Sequence, residues 1–352
     1  MKNIFYLISA IGVFVLVFAL FMLNSCNSMT TKKTEDQTVE ELKILPTPAF
    51  NVDSAFIFIE KQLAFGPRTP NSKAHQECAE YLLKTLEKMG ANIEVQNFQA
   101  TAYDSLKMEG KNIIASLNPT AQRRILLAAH WDTRRFSDKD AEKNNHNKPL
   151  DGADDGASGV AVLLEIVRAI QADKNKPNVG IDVIFFDLED DGHKEGTNKN
   201  DKGDKIFWCH GSQHWSKNKH KADYSAYFGI LLDMVGAKNA IFRKEFYSVQ
   251  YASNIVNQTW LIGQKLGYGQ FFVNKELKFG DGGMLDDHLF VNEFGKIPMI
   301  DIINYDNEFG KHHHTQEDNI KIIDKNTLKA VGETVLQMIY QNALPKETAP
   351  KQ

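Results

Sequence analysis

Four short polar runs in this chain carry residue types that bind metals and move protons. They are His130-Trp131-Asp132, Gly152-Ala153-Asp154-Asp155-Gly156, Asp187-Leu188-Glu189-Asp190-Asp191 and His312-His313-His314-Thr315. Imidazoles and carboxylates together suit zinc, and a carboxylate left off the metal is a general base. Three of the four runs end or follow an apolar stretch that reads as a buried strand. In open α/β sheets the ligand crevice lies just outside the carboxyl ends of the strands.

Read alone, each run has an ordinary alternative. Asp155 sits among glycines before a helix, where an acid is a metal ligand or simply an N-cap. Glu189, Asp190 and Asp191 crowd three carboxylates together, which is costly unless a cation or proton offsets it, or unless the turn is solvated. Three consecutive histidines also fit a basic loop. His130 and Asp132, two apart on an extended segment, point to the same side and serve structure as readily as chemistry.

The elements that must position these residues follow from periodicity. Helical spacing covers Asp53–Ala64 and Lys73–Lys88, parted by Gly66-Pro67-Arg68-Thr69-Pro70 and stopped at Gly90. Strands are expected at 93–98, 112–117, 125–129, 181–186, 227–232 and 298–303. The third, fourth and fifth lead into His130, the acidic run and Asp233. Further helices are expected at 159–170, 255–266 and 326–340. Nearly all-apolar strands alternating with helices predict one α/β domain: a central mixed, mostly parallel sheet with helices on both faces. The polar stretches 136–149 and 193–206 read as loops at the crevice rim.

Composition bounds the rest. The chain has 352 residues, 42% hydrophobic, with a formal net charge of −4, so neither nucleic acid nor an anionic surface is an expected partner. Lys2 precedes an apolar run from Ile4 to Leu23 that ends at Leu23-Asn24-Ser25-Cys26. This resembles a bacterial lipobox. The expected organisation is a lipoprotein signal peptide at 1–25, a flexible tether at 26–50 and a folded domain at 51–345. Lipid on Cys26 would hold an exported protein at the cell envelope of a Gram-negative bacterium; an uncleaved membrane anchor is the alternative. Cys78 and Cys209 are either a disulfide or two buried thiols.

Taken in order, the motifs resemble the zinc aminopeptidase-like family over roughly residues 53–340. His130-Trp131-Asp132, Gly152-Ala153-Asp154-Asp155, Glu189-Asp190, Asp233 and His314-Thr315 carry the resemblance. That fold hosts two chemistries, aminopeptidases with two zinc ions and glutaminyl cyclases with one. Asp286-Asp287-His288 is similar to the cyclase pattern, since aminopeptidases usually carry Ser or Thr where Asp286 stands. The stretches 65–72 and 207–213 resemble bacterial cyclases too.

The resemblance implies a monomeric enzyme that converts N-terminal glutamine of peptides and proteins to pyroglutamate. It assigns Asp155, Asp190 and His314 to one zinc ion. Glu189 would be the proton shuttle, Asp233 and Asp286 a hydrogen-bonded acid pair, and Trp131, Trp208 and His313 the pocket wall. For the two tryptophans core packing is the alternative. The chain departs from the animal cyclase pattern in three places. His313 stands where a Trp often precedes the ligand, Asp301 where a His is found, and Asp190 is one methylene shorter than the usual Glu. An aminopeptidase with a second zinc on His130 and Asp233 remains open, as does a non-catalytic binding ectodomain.

Overall fold

The structure is a computed structural model that describes residues 42–197, 204–277, 283–306 and 308–345. The expected signal peptide and Cys26 lie outside the described residues. From Ile44 onward the chain forms one compact unit. Residues 44–50, the last part of the expected tether, belong to this unit, and most of the rest of the tether lies outside the described residues. Phe50 is buried against Gly332, where an added Cβ would lie 2.2 Å from its ring.

A six-stranded sheet runs through the unit. Its strands are β1 (Asn92–Thr101), β2 (Lys107–Leu117), β3 (Arg124–His130), β4 (Gly180–Phe186), β5 (Phe228–Asp233) and β8 (Met299–Ile303), in the order β1-β2-β4-β3-β5-β8. The β1–β2 and β2–β4 pairs are antiparallel and the β4–β3, β3–β5 and β5–β8 pairs parallel, so the sheet is mixed and parallel where the motifs attach. Two helices open the unit, α1 (Val52–Leu63) and α2 (Lys73–Lys88), capped by Asn51 and Ser72. Helix α3 (Ala157–Ala172) follows the glycine run, and α7 (Lys325–Gln341) closes the chain.

Both faces of the sheet are covered. Ile114, Leu126, Ala128, Ile184, Phe186, Leu231 and Met299 share one face with Trp215 of α4 (His210–Lys217) and Val291 of α6 (Asp287–Glu293). On the opposite face α3 lies close to the strands. A Cβ on Gly159 would come within 2.2 Å of Leu232 O and 3.0 Å of Ala129 Cβ, which is why glycine starts this helix.

Four elements were not legible. Helices α4 and α6 are too short to show a period. A separate two-stranded parallel sheet joins β6 (Phe242–Lys244) to β7 (Phe272–Glu276), and both are short and half polar. Helix α5 between them runs Phe246–Lys265, well beyond the expected start at 255, because it kinks at Ala252 (φ −145°, ψ 42°). Cys78 and Cys209 are buried free thiols.

A buried charge pins the middle of the sheet. Asp182 on β4 accepts from Arg124 Nε at 2.5 Å and Nη2 at 2.7 Å, Ser116 Oγ at 2.5 Å and Tyr224 OH at 2.8 Å. All four of its acceptor positions are filled, so removing the carboxylate strands a buried guanidinium. Asp182→Ala is expected to lower unfolding free energy by about 3–5 kcal/mol. Urea unfolding reads this out, and an unchanged midpoint would make the pair dispensable.

Candidate active site

β3, β4 and β5 end side by side, so His130, the acidic run and Asp233 meet at one edge of the sheet. After β4 the chain reverses through Leu188, which sits in the left-handed region at φ 58°. The next two amides, Glu189 N and Asp190 N, donate to the two oxygens of Asp132 at 3.1 and 3.2 Å. Asp132 therefore aims the turn. Arg134 N donates to Asp190 Oδ2 at 3.0 Å, which leaves Oδ1 facing His314 Nε2, also at 3.0 Å.

The glycine run approaches from the other side. Gly156 (φ 92°) brings its backbone so near β3 that a Cβ would lie 2.9 Å from Asp132 O. Asp318 accepts from Asp154 N at 2.7 Å and Asp155 N at 3.2 Å. Asp154 accepts from Gly236 N and Ala237 N through Oδ1 and meets His312 Nε2 through Oδ2 at 2.9 Å. With Asp154 turned away, Asp155 is the acid that faces the crevice. Its Oδ2 lies 3.7 Å from His314 Nε2 and its Oδ1 3.0 Å from His130 Nε2. Leu188, Cys209, Met234 and His314 all hold positive φ without being glycine, and such positions gather at functional sites.

Asp155, Asp190 and His314 are thus brought together, and all three are buried. Burial, then Arg134, pushes the His314 imidazole well below its ordinary range, so the ring is neutral. Burial, then Asp155, pushes the Asp190 carboxyl well above its range. Burial pushes Asp155 up as well, but its bond to His130 outweighs this and holds it low. Two crowded carboxylates and a neutral imidazole are a donor set that fits zinc.

Glu189 stands apart from this trio. Its Oε1 accepts from Cys209 Sγ at 3.3 Å and its Oε2 lies 3.9 Å from His130 Nδ1. Burial pushes Glu189 well up, against the pull of His130 and with added repulsion from Asp190 and Asp286. Asp233 is pushed up to about 8 by burial, opposed by His130 and reinforced by Asp286. Asp286 caps α6 through Asp287 N and is itself pushed up by burial. Asp286 adds repulsion to both Glu189 and Asp233, so the three acids crowd one side of the site. Burial opposes charge on His130, yet its bonds to Asp132, Asp155 and Asp233 raise it well above its range. The ring lies between Asp155 and Asp233, 3.0 and 3.2 Å from them.

The acids and His314 open onto a cavity of about 310 Å³. Trp208 and His313 line it, with Phe309, Ile303, Met284 and Leu285. The Trp208 ring lies parallel to His314, centroids 6.2 Å apart, and rests on Gly192, where a Cβ would lie 1.7 Å from the indole. His313 packs on Phe309 and receives Lys139 Nζ at 3.1 Å. Lys139 brings the 136–149 loop to the rim, whereas part of the 193–206 loop lies outside the described residues.

Trp131 is a correction. It is fully buried, stacks on His75 at 4.3 Å and donates Nε1 to Lys111 O, so it supports β3 from the core and does not line the pocket. Alternation explains this, because His130 and Asp132 face the crevice and the residue between them faces inward. Sequence reasoning also missed Cys209 against Glu189, and Asp318 beneath Asp155, which no periodicity marks. A larger groove of about 950 Å³ lies outside, lined by Ile57, Phe58, Phe65 and Tyr81 and rimmed with lysines and glutamates. It contains none of the acids or histidines of this site.

Residues 112–339 match the sequence profile of Peptidase family M28. A glutaminyl-peptide cyclotransferase of Bos taurus is 25% identical over 291 residues, 74% of each chain. The structure of Bacteroides thetaiotaomicron glutaminyl cyclase bound to N-acetylhistamine is 45% identical, with TM-score 0.80, covering 84% of this chain and all of that one. A Zn-dependent exopeptidase of Parabacteroides distasonis is 48% identical, with the same TM-score and coverage.

Asp132 touches no ligand position yet orients Glu189 and Asp190 through their amides. Asp132→Ala is expected to weaken zinc affinity by about 10–100-fold, the usual scale for a partner behind a ligand. Competition with a chromogenic chelator measures it, and unaltered affinity would mean the turn holds itself.

Proposed function

We propose that this chain, which belongs to Peptidase family M28, is a glutaminyl-peptide cyclotransferase that closes N-terminal glutamine to pyroglutamate and releases ammonia. The observation that carries this reading is the third acid. Asp286 joins Glu189 and Asp233 around one small cavity beside the Asp155, Asp190 and His314 trio. Cyclisation requires an amine and an amide nitrogen of the same residue to be held together, and three crowded acids provide acceptors for both. About 310 Å³ is near the lower end for ligand pockets and suits one side chain rather than an extended peptide.

In this reading Asp155, Asp190 and His314 hold one zinc ion. Zinc bound there would act as a Lewis acid toward the side-chain amide carbonyl of the substrate. Glu189 accepts a proton from the α-amine as its nitrogen bonds to the amide carbon. It returns that proton to the amide nitrogen as the carbon–nitrogen bond breaks and ammonia departs. Burial raises its carboxyl, which favours holding the proton between the two halves of this exchange. Nucleophile and electrophile belong to one residue, so positioning contributes more than nucleophile activation. Asp233 and Asp286 orient the two nitrogens. Trp208 and His313 wall the aliphatic part of the side chain.

His130 Nε2 lies 3.0 Å from Asp155 and 3.2 Å from Asp233, a grouping that could hold a second ion, so the zinc count is itself part of the proposal. The exopeptidase neighbour makes the two-zinc aminopeptidase the reading to exclude. One experiment separates them: ammonia release from a glutaminyl dipeptide amide beside cleavage of a leucyl one, with zinc counted. Ammonia release with one zinc per chain is expected; leucyl cleavage with two would overturn the proposal. Glu189→Gln is expected to keep its zinc while turnover falls by about 100-fold. Loss of metal in that variant would move Glu189 into the ligand set.

The lipobox-like Leu23-Asn24-Ser25-Cys26 supports an exported, lipid-anchored protein acting on exported substrates. Cys26→Ser is expected to shift the mature protein from the membrane fraction to the soluble one, or to leave the signal uncleaved. Normal maturation with unchanged fractionation would require another anchor.

A further inference from the structure

Behind the pocket acids lies a second buried cluster, which the scheme above does not use. Asp301 projects from the middle of β8, and His288 stands in the first turn of α6, two residues after Asp286. The side chains of Asp301 and His288 are fully buried and Asp286 is 4% exposed. One donor atom from each of the three falls within 4.8 Å of the other two. Among the described residues no N–H reaches Asp286 Oδ2 or either oxygen of Asp301. Instead a carboxyl oxygen of Asp286 and one of Asp301 face each other within 4.8 Å. Two carboxyl groups can bond only if one carries a proton. One shared hydrogen then partners one oxygen on each acid.

The surroundings decide which acid holds it. Asp301 faces Asp286 on α6, Asp233 on β5 and Glu245 ahead of α5, all acids, inside the sheet. Asp286 faces His288 and His130 as well and accepts from the first amide of α6, each of which favours its charged form. His288 is held by Glu245 Oε2 at 2.9 Å from Nε2, which leaves Nδ1 turned toward Asp301 Oδ2 at 3.8 Å. Glu245 is fixed in turn. It accepts from Tyr247 N, Ser248 N, Ser248 Oγ and Met284 N, and Ser248 Oγ accepts from Asp301 N. Burial pushes Glu245 up, but His288 and these bonds bring it down to about 2, so it remains an anion.

We propose that Asp301 is a neutral acid that donates its proton to Asp286, and that His288, pinned by Glu245, supplies the positive charge that keeps Asp286 ionised. Asp301 and His288 are then positioning residues, which act on the substrate only through Asp286. The link to turnover rests on the cyclotransferase reading. The protonation state does not, and can be measured separately.

The test uses the zinc-loaded enzyme. At neutral pH its infrared spectrum is expected to contain a protonated-carboxyl stretch that Asp301→Asn removes. In the cyclisation assay Asp301→Leu, with no donor, is expected to lower kcat by about tenfold or more, roughly 1.4 kcal/mol. Asp301→Asn, whose amide still donates, restores it to within about threefold of wild type. His288→Gln keeps the bond to Glu245 and removes the charge. Without that cation Asp286 holds its proton to higher pH, so the acidic limb of the kcat/KM profile moves up by about one pH unit. An identical infrared spectrum for Asp301→Asn overturns the proposal even if Asp301→Leu fails to fold. So does an unmoved acidic limb in His288→Gln. Wild-type protein that shows the carboxyl stretch but releases no ammonia would refute the cyclotransferase reading and leave this protonation state standing.

Discussion

The constraint on which this structure depends is the repulsion among carboxylates buried at the ends of β3, β4, β5 and β8. Asp132, Asp155, Glu189, Asp190, Asp233, Asp286 and Asp301 are all withdrawn from water, and burial pushes the carboxyls of Glu189, Asp190, Asp233, Asp286 and Asp301 upward. Each is kept by a different device. Asp132 is tied to two backbone amides. Asp190 is bonded through one oxygen to Arg134 N and left open through the other. Asp155 and Asp233 share His130. Zinc, when bound, offsets one part of this charge and shared protons another. A bland apolar interior at the same strand ends would be more stable and would catalyse nothing.

The backbone around the site reflects the same tension. Reversing the chain directly after a buried strand, so that two consecutive acids point into one crevice, requires a left-handed residue at Leu188. His314 holds a similar conformation at the other end of the site, as does Cys209 where α4 begins against Glu189. Such positions cost energy and persist because the contacts around them over-determine the chain. Here those contacts are the Asp132 and Asp318 carboxylates, which satisfy amides of the acidic turn and of the glycine run. The active arrangement is therefore held less by the residues that do chemistry than by two acids that only position them.

This division explains what was legible in the sequence. The four parallel strands were visible because each is buried and reads as a nearly continuous apolar run, and the carboxyl ends of β3, β4 and β5 located motif residues. Helix Lys73–Lys88 was visible to the residue because Ser72 caps it and Gly90 stops it. The pocket wall was half legible. Trp208 and His313 face the cavity, but Trp131 follows the alternation of its strand into the core. Short elements such as β6, α4 and α6 were lost because fewer than eight or nine residues do not establish a period. Asp318 and Cys209 were lost for another reason: each matters through one long-range contact that leaves no local pattern.

The fold hosts peptidases and cyclases alike, so the decision between them rests on a few side chains rather than on architecture. His130 and Asp233 are present here, and on composition alone a second metal could be argued. His130 lies within 3.2 Å of both Asp155 and Asp233, the group a second ion would use, and Asp286 raises the proton affinity of Asp233. A carboxyl pushed up to about 8 is a poor ligand at neutral pH but a good partner for a substrate nitrogen. The same inventory of acids and histidines can thus serve two reactions. What marks the proposed reaction is the acid at the start of α6, which raises the proton affinity of Asp233.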